Sequence, residues 1–224
     1  MNTIDNISKD KFREIRLKRI PTLIKNGLSY FPKLEKWNKE YIVEKYGNLE
    51  CTYSYHARPV RSKSKTNYRN FFNKYNKETY TFTRKIYNIN DEKGKIISDI
   101  NYPNPFFDRV NIDRYIFYSG PKHTGALPHS HGPALNLMKY GRKRWIFFDT
   151  FYQDGKKLEQ YYYNKYPLNV SWLEWYNKEY NSMDKFVKTV ECIQEPNDLV
   201  FIPDNFNHTV FNEEETMGIV VELL

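Results

Sequence analysis

Cysteine is scarce in this sequence: there are two, Cys51 and Cys192, far apart and in no C-x-x-C pairing. That argues against a disulfide framework or a cysteine zinc finger and fits a reducing compartment. Long apolar runs are missing too. No stretch approaches the ~20 residues that a membrane span needs. The N-terminal MNTIDNISKDKFREI is mixed in charge, without the apolar core of a secretory leader. The N-x-S/T triplets at Asn6, Asn169 and Asn207 therefore carry no weight as glycosylation sites, and a soluble intracellular protein, cytoplasmic or nuclear, is expected. Internal repeats and low-complexity linkers are absent. Acidic residues are in deficit, with 27 Asp and Glu against 35 Lys and Arg, a net charge of +8. Such a balance favours an acidic partner, whether nucleic acid, an acidic peptide or an anionic small molecule, and is equally the mark of a lysine-rich solvated surface.

What the sequence has in quantity is aromatic side chains: 20 Tyr, 15 Phe and 4 Trp in 224 residues. Together with 40% apolar residues these supply a sizeable core for one domain, so the mean hydropathy of −0.80 does not signal disorder. Residues 1–30 read as a helical or extended N-terminal segment interrupted by Pro21. Residues 31–224 read as the main domain. Lys36–Gly47 suggests a short amphipathic helix with Gly47 as its C-cap, and LECTYSY (residues 49–55) alternates as a half-buried strand. Arg58 to Arg69 is a basic run, either an exposed loop or a phosphate contact.

Tyr68, Phe71, Phe72 and Tyr75 recur at helical spacing, and residues 79–87 are rich in β formers. Asp91–Gly94 reads as a turn and Pro103/Pro105 as a loop before the strand DRYIFYSG. Residues 151–190 read as a helical insertion, with Ser171 and Glu174 placed as a capping box. Strands return in ECIQ, DLVFIPDNFNHTVFN and MGIVVELL. Many short strands with Gly, Pro and Asn turns after a helical start indicate a mainly-β barrel or sandwich with appended helices.

The densest chemistry lies in Ser119–Thr150, SGPKHTGALPHSHGPALNLMKYGRKRWIFFDT, which holds three of the five histidines. On a strand His129 and His131 share a face and offer two imidazoles to one pocket, although a packed pair has the same pattern. His208 follows a strand and a proline turn in DLVFIPDNFNHTVFN, which reads as a hairpin delivering a third ligand. Three imidazoles capping one face of a metal leave positions open for chemistry. Lys143 shares a strand face with Trp145, so it points into the same barrel and calls for an anion there; alternatively Arg142–Arg144 is a surface turn. Tyr118, Tyr115 and Asn101 are candidate lining residues. His123 sits in a Gly/Pro turn, and His56 has no assigned role.

The combination H-x-H-G-P, an Asn soon after, G-R-K-R-W, then F-I-P-x-x-x-x-H-x-V-x-N resembles the JmjC (jumonji C) family. The likeness extends upstream to W-x-x-E-Y-x-x-x-x-Y-G at Trp37, covering roughly residues 15–224. The resemblance implies a cupin-type double-stranded β-helix that binds Fe(II), or another divalent metal, and 2-oxoglutarate. It places His129 and His208 as metal ligands, Lys143 on the far carboxylate of 2-oxoglutarate, Asn136 near that co-substrate, and Asn212 as the polar residue closing the hairpin. Two positions depart from the family pattern. His131 stands where active members have Asp or Glu, which leaves three neutral ligands. Ala126 stands three residues before the first ligand, where a Thr is frequent; Thr124 is close but out of register. The implied activity is hydroxylation, or demethylation through hydroxylation, of a protein side chain. The alternatives are a catalytically silent JmjC-like module that binds a metal or a partner, and a three-histidine cupin acting on a small molecule. A monomer is expected, since little chain follows the last strand.

Overall fold

The computed structural model describes residues 1–54, 64–76, 79–84, 96, 99–100, 112–148, 171–180 and 188–224. In chain order the elements are β1 (Asn2–Asp5), α1 (Lys9–Leu17), β2 (Thr22–Lys25), α2 (Lys39–Tyr46), β3 (Glu50–Ser54), β4 (Ser64–Asn67), α3 (Tyr68–Asn70) and β5 (Tyr80–Arg84). There follow β6 (Ile112–Gly120), β7 (Gly125–His129), β8 (Ala134–Tyr140), β9 (Lys143–Phe148), α4 (Trp172–Trp175), β10 (Thr189–Gln194), β11 (Leu199–Ile202), β12 (His208–Asn212) and β13 (Thr216–Leu223). A large sheet runs β1-β2-β11-β8-β13-β6-β5-β3-β4 and a small one β10-β9-β12-β7. Pairing is antiparallel except for β1 with β2. This is the mainly-β, two-sheet cupin architecture with N-terminal helices.

Strand alternation distributes the core over three layers. Outward-facing Phe117, Leu135, Leu137, Phe201, Ile219 and Val221 of the large sheet pack against Phe12, Ile15, Trp37, Ile42 and Tyr46 of the N-terminal region. Between the sheets lie Ile116, Tyr118, Ala134, Trp145, Phe147, Val200, Ile202 and Val220. Behind the small sheet, Leu127, Ile146, Phe148 and Phe211 pack on Trp172 and Trp175, with Trp172 stacked on Phe211 at 4.2 Å. Each such side chain stabilises the fold by roughly 1.5–3 kcal/mol. Residues 145–148 of β9 and 217–221 of β13 are apolar on both faces because both faces are covered, so these stretches read as continuous apolar runs.

Local chemistry starts the helices where the sequence places them. Ser8 caps α1 by accepting from the Lys11 amide, Asn38 caps α2 by accepting from Tyr41, and Ser171 caps α4 by accepting from Glu174. Gly47 is the C-cap of α2, as expected, with φ −56°, an ordinary right-handed value. It is small for a steric reason, since a Cβ there would lie 2.2 Å from the Val43 carbonyl oxygen. Buried Asp99 knots this region, accepting from the Tyr41 and Tyr46 hydroxyls and pairing with Lys36 and Lys45.

The segment around Pro203 departs from expectation. β11 and β12 do not form a hairpin. β11 lies in the large sheet between β2 and β8, and β12 in the small sheet between β9 and β7. Residues 203–207 carry the chain from one sheet to the other, because each strand buries both faces only within its own sheet. Among the described residues no helix is long and apolar enough to cross a membrane. The Asp91–Gly94 turn, the Pro103/Pro105 loop, Asn101, His56, residues 58–63 of the basic run and most of the 151–190 insertion lie outside the described residues.

Candidate metal centre

β7 and β12 are neighbours in the small sheet, and His129 pairs directly with His208. Two residues along β12, Val210 pairs with Ala126, so β7 carries one extra residue, a β-bulge. Without it, Ala126 and His129 would face opposite sides of the sheet; the bulge turns both into the barrel. The Thr209 hydroxyl braces this irregularity, donating to the Ala126 carbonyl at 2.6 Å and accepting from the Trp172 indole at 2.8 Å. His131 lies just beyond the end of β7 rather than on it. It reaches the same point from the turn, whose His131 carbonyl accepts from the Asn205 amide at 2.8 Å.

The three rings converge. Centroids are 4.4 Å apart for His129 and His208, 4.8 Å for His131 and His208, and 5.5 Å for His129 and His131. One ligand nitrogen from each falls within 4.8 Å of the others. Each Nδ1 meets a backbone carbonyl: Leu127 at 2.7 Å for His129, Gly132 at 2.6 Å for His131 and Phe206 at 2.8 Å for His208. A carbonyl only accepts, so Nδ1 carries the proton in all three rings and Nε2 keeps the lone pair a metal requires. Trp145 and Phe147 wall His208 at 5.7 and 5.9 Å. Burial, then the two neighbouring imidazoles, holds the His208 pKa well below the ordinary value, keeping that ring neutral. The donor set fits a divalent metal of borderline softness with open positions. Among the described residues the group contains no carboxylate.

Toward the other end of the barrel stands Lys143, in register with Asn212 on β12. It is 5% exposed, and burial lowers its ammonium to about 7. Its Nζ lies 3.7 Å from the centre of the Tyr118 ring, and among the described residues it has no carboxylate partner. The Tyr118 hydroxyl donates to Asn136 Oδ1 at 2.9 Å, crossing Gly218, where a Cβ would sit 2.4 Å from that hydroxyl. Asn136 is buried on the barrel face of β8 beside Trp145, which donates to Gln194, whose amide donates to the Asn136 carbonyl.

Asn212 and Thr124 clamp the turn before β7. Asn212 Nδ2 donates to Thr124 Oγ1 at 2.9 Å, and Thr124 donates to the Pro121 carbonyl at 2.7 Å. Their polar atoms are thus spent largely on the turn. His123, with φ +72° in that turn, stacks on Phe211 and stays apart from the triad cluster. Tyr115 is half-buried on β6, and its ring packs against the core outside the barrel.

One residue the sequence did not single out belongs to this end of the barrel. Tyr80 on β5 is buried, and its hydroxyl has no hydrogen-bond partner among the described residues. Its Cβ, Thr124 Oγ1 and Asn212 Nδ2 crowd the space over Gly120, each within 3.1 Å of where a Gly120 Cβ would be. A tyrosine in a strand has the pattern of core packing, so only the unpartnered hydroxyl marks it.

No protein-family model matches the chain. Among proteins of known function, it is 24% identical to 2-oxoglutarate and iron-dependent oxygenase JMJD4 of Mus musculus, over 80% of this chain and 48% of that protein. It is 26% identical to bifunctional arginine demethylase and lysyl-hydroxylase psr-1 of Caenorhabditis elegans, over 96% of this chain and 58% of that protein. It is 24% identical to arginine-specific demethylase JMJ22 of Arabidopsis thaliana, over 89% and 41%. The chain spans about half the length of these relatives. Similarity that runs nearly the whole chain, on a two-sheet barrel enclosing the His129–His131–His208 triad, makes this chain a distant homologue of the JmjC 2-oxoglutarate- and iron-dependent oxygenases.

Proposed function

We propose that this protein is a 2-oxoglutarate- and Fe(II)-dependent oxygenase that hydroxylates or demethylates a protein side chain. The observation that carries this reading is the pairing of a convergent histidine triad with a buried ammonium that, among the described residues, has no carboxylate partner in the same barrel. His129, His131 and His208 would hold the metal, which supplies O₂ activation when bound. Lys143 anchors the distal carboxylate of 2-oxoglutarate, and the Tyr80 hydroxyl donates to the same group. Asn136, oriented by Tyr118 and Gln194, faces the middle of the barrel. Trp145 and Phe147 exclude water on the β9 side of the metal. The activities for which psr-1 and JMJ22 are named, on arginine and lysine, support a basic protein side chain as the substrate class.

His131 favours one competing reading. Three neutral imidazoles leave the ion at its full charge, and a metal-binding module without turnover fits the same triad. Anaerobic titration with Fe(II) and 2-oxoglutarate, followed by succinate release in air, separates the two. Tight 2-oxoglutarate binding and succinate formation, both lost in Lys143→Ala, are expected. Metal binding with no response to 2-oxoglutarate would sink the oxygenase reading and leave the silent module.

A further inference from the structure

The end of the barrel that holds Lys143 contains a second buried hydroxyl without a partner. Thr216, the first residue of β13, is 0% exposed, and its Oγ1 makes no hydrogen bond among the described residues. It pairs with Gly120 on β6, and β13 stays in regular register with β6 from Thr216 to Glu222. Thr216 therefore shares the barrel face with Gly218 and Val220, and Val220 packs in the cluster that contains Trp145 and Phe147.

The inner surface at this level thus runs from Tyr80 across Gly120 to Thr216. Gly120 has no side chain, and a Cβ there would collide with Tyr80 Cβ at 2.7 Å and Thr124 Oγ1 at 2.8 Å. Only three residues separate Thr216 from Asn212, the register partner of Lys143. Valine matches threonine in shape and would satisfy this buried position without an orphaned hydroxyl, so the threonine is a cost to the ligand-free fold. Nearby, the Thr124 hydroxyl is already committed to Pro121, and Ala126 on β7 has no polar group.

We propose that Thr216 is a 2-oxoglutarate-binding residue whose hydroxyl donates to the distal carboxylate held by Lys143. This rests on the oxygenase reading above. It adds to the Tyr80 hydroxyl a second donor on β13 of the large sheet, across the barrel from β7.

The test is calorimetric titration of the Mn(II)-loaded full chain with 2-oxoglutarate, and with 2-oxovalerate, which has the same carbon chain but no distal carboxylate. Thr216→Val is expected to weaken 2-oxoglutarate binding about tenfold, the effect of losing a hydrogen bond to a charged group, and to leave 2-oxovalerate and Mn(II) affinities unchanged. Its ligand-free Tm should be equal to or above that of the wild type. Thr216→Ser should stay within about twofold of wild type. If Thr216→Val binds 2-oxoglutarate as the wild type does, weakens both oxo acids equally, or is matched by Thr216→Ser, the assignment falls while the oxygenase reading stands. If the wild type binds no 2-oxoglutarate, both fall together.

Discussion

Lys143 is where the chemistry of a single residue is most exposed to test. Burial brings its ammonium to about 7 in the ligand-free protein, against ~10.4 for an unfolded lysine. The unfolded chain therefore binds more protons between those values, so the destabilisation from Lys143 is full below about pH 7 and fades as pH rises toward 10. Lys143→Met is expected to raise the ligand-free Tm more at pH 6 than at pH 9.5; equal shifts at the two pH values would contradict the buried, unpaired ammonium. In the wild type, 2-oxoglutarate affinity should decline as pH rises above 7, because the dianion selects the protonated lysine. Tyr80→Phe removes an unpartnered hydroxyl, so its ligand-free Tm should hold or rise while 2-oxoglutarate binding weakens severalfold. A drop in Tm would instead mean that the hydroxyl has a structural partner. Lys143 was legible in the sequence through G-R-K-R-W. Tyr80 was not, because orphaned polarity is a property of surroundings rather than of residue type.

Among the elements, β13 and the N-terminal helices carry the clearest constraints. Gly218 lets the Tyr118 phenol cross β13 to Asn136, and a Cβ there would also lie 2.1 Å from the Leu137 carbonyl oxygen. Gly218→Ala should cost about 2–3 kcal/mol in denaturant unfolding, with the loss of Lys143's ring contact as a secondary effect. On the outer face of the large sheet, Asp99 joins α2 to the chain that leads into β6. Burial acts to raise its carboxyl, but hydrogen bonds from Tyr46, Tyr41, Lys36 and Lys45 outweigh it and hold the group at about 2. A folded value below the unfolded ~3.9 contributes stability that is full above about pH 4 and is lost as pH falls through about 2. Asp99→Asn should destabilise the protein by about 3 kcal/mol at pH 7, and its stability should be flatter than wild type between pH 4 and 2. Parallel acid curves for the two proteins would remove Asp99 from this role. The helix start at Ser171 was readable as a cap, being a contact over three residues; the same contact at Ser8 and Asn38 was found only in the structure. The β7 bulge was not readable, since it appears only against the register of β12.

For the molecule as a whole, the triad joins segments that are distant in sequence, so a metal there binds the folded barrel and not the unfolded chain. Saturating Mn(II) at 100 times its Kd should stabilise the protein by about 2.7 kcal/mol, through mass action, and raise Tm by several degrees. Chelator should reverse this fully, and His208→Ala should abolish it. A metal-induced shift that survives in His208→Ala would place the ion elsewhere.

The sequence by itself determined the mainly-β class, the Ser171 cap and the three histidines that the structure brings together, because alternation, capping and motif spacing are written in local patterns. Tertiary structure alone decided that β11 and β12 belong to different sheets, and that His131 joins the triad from a turn. It alone also showed that, among the described residues, Lys143 is buried with no carboxylate partner and the Tyr80 and Thr216 hydroxyls are buried with no hydrogen bond. Those outcomes depend on strand register and on which face each sheet covers, and a shift of one residue in pairing would reverse them without altering any local pattern.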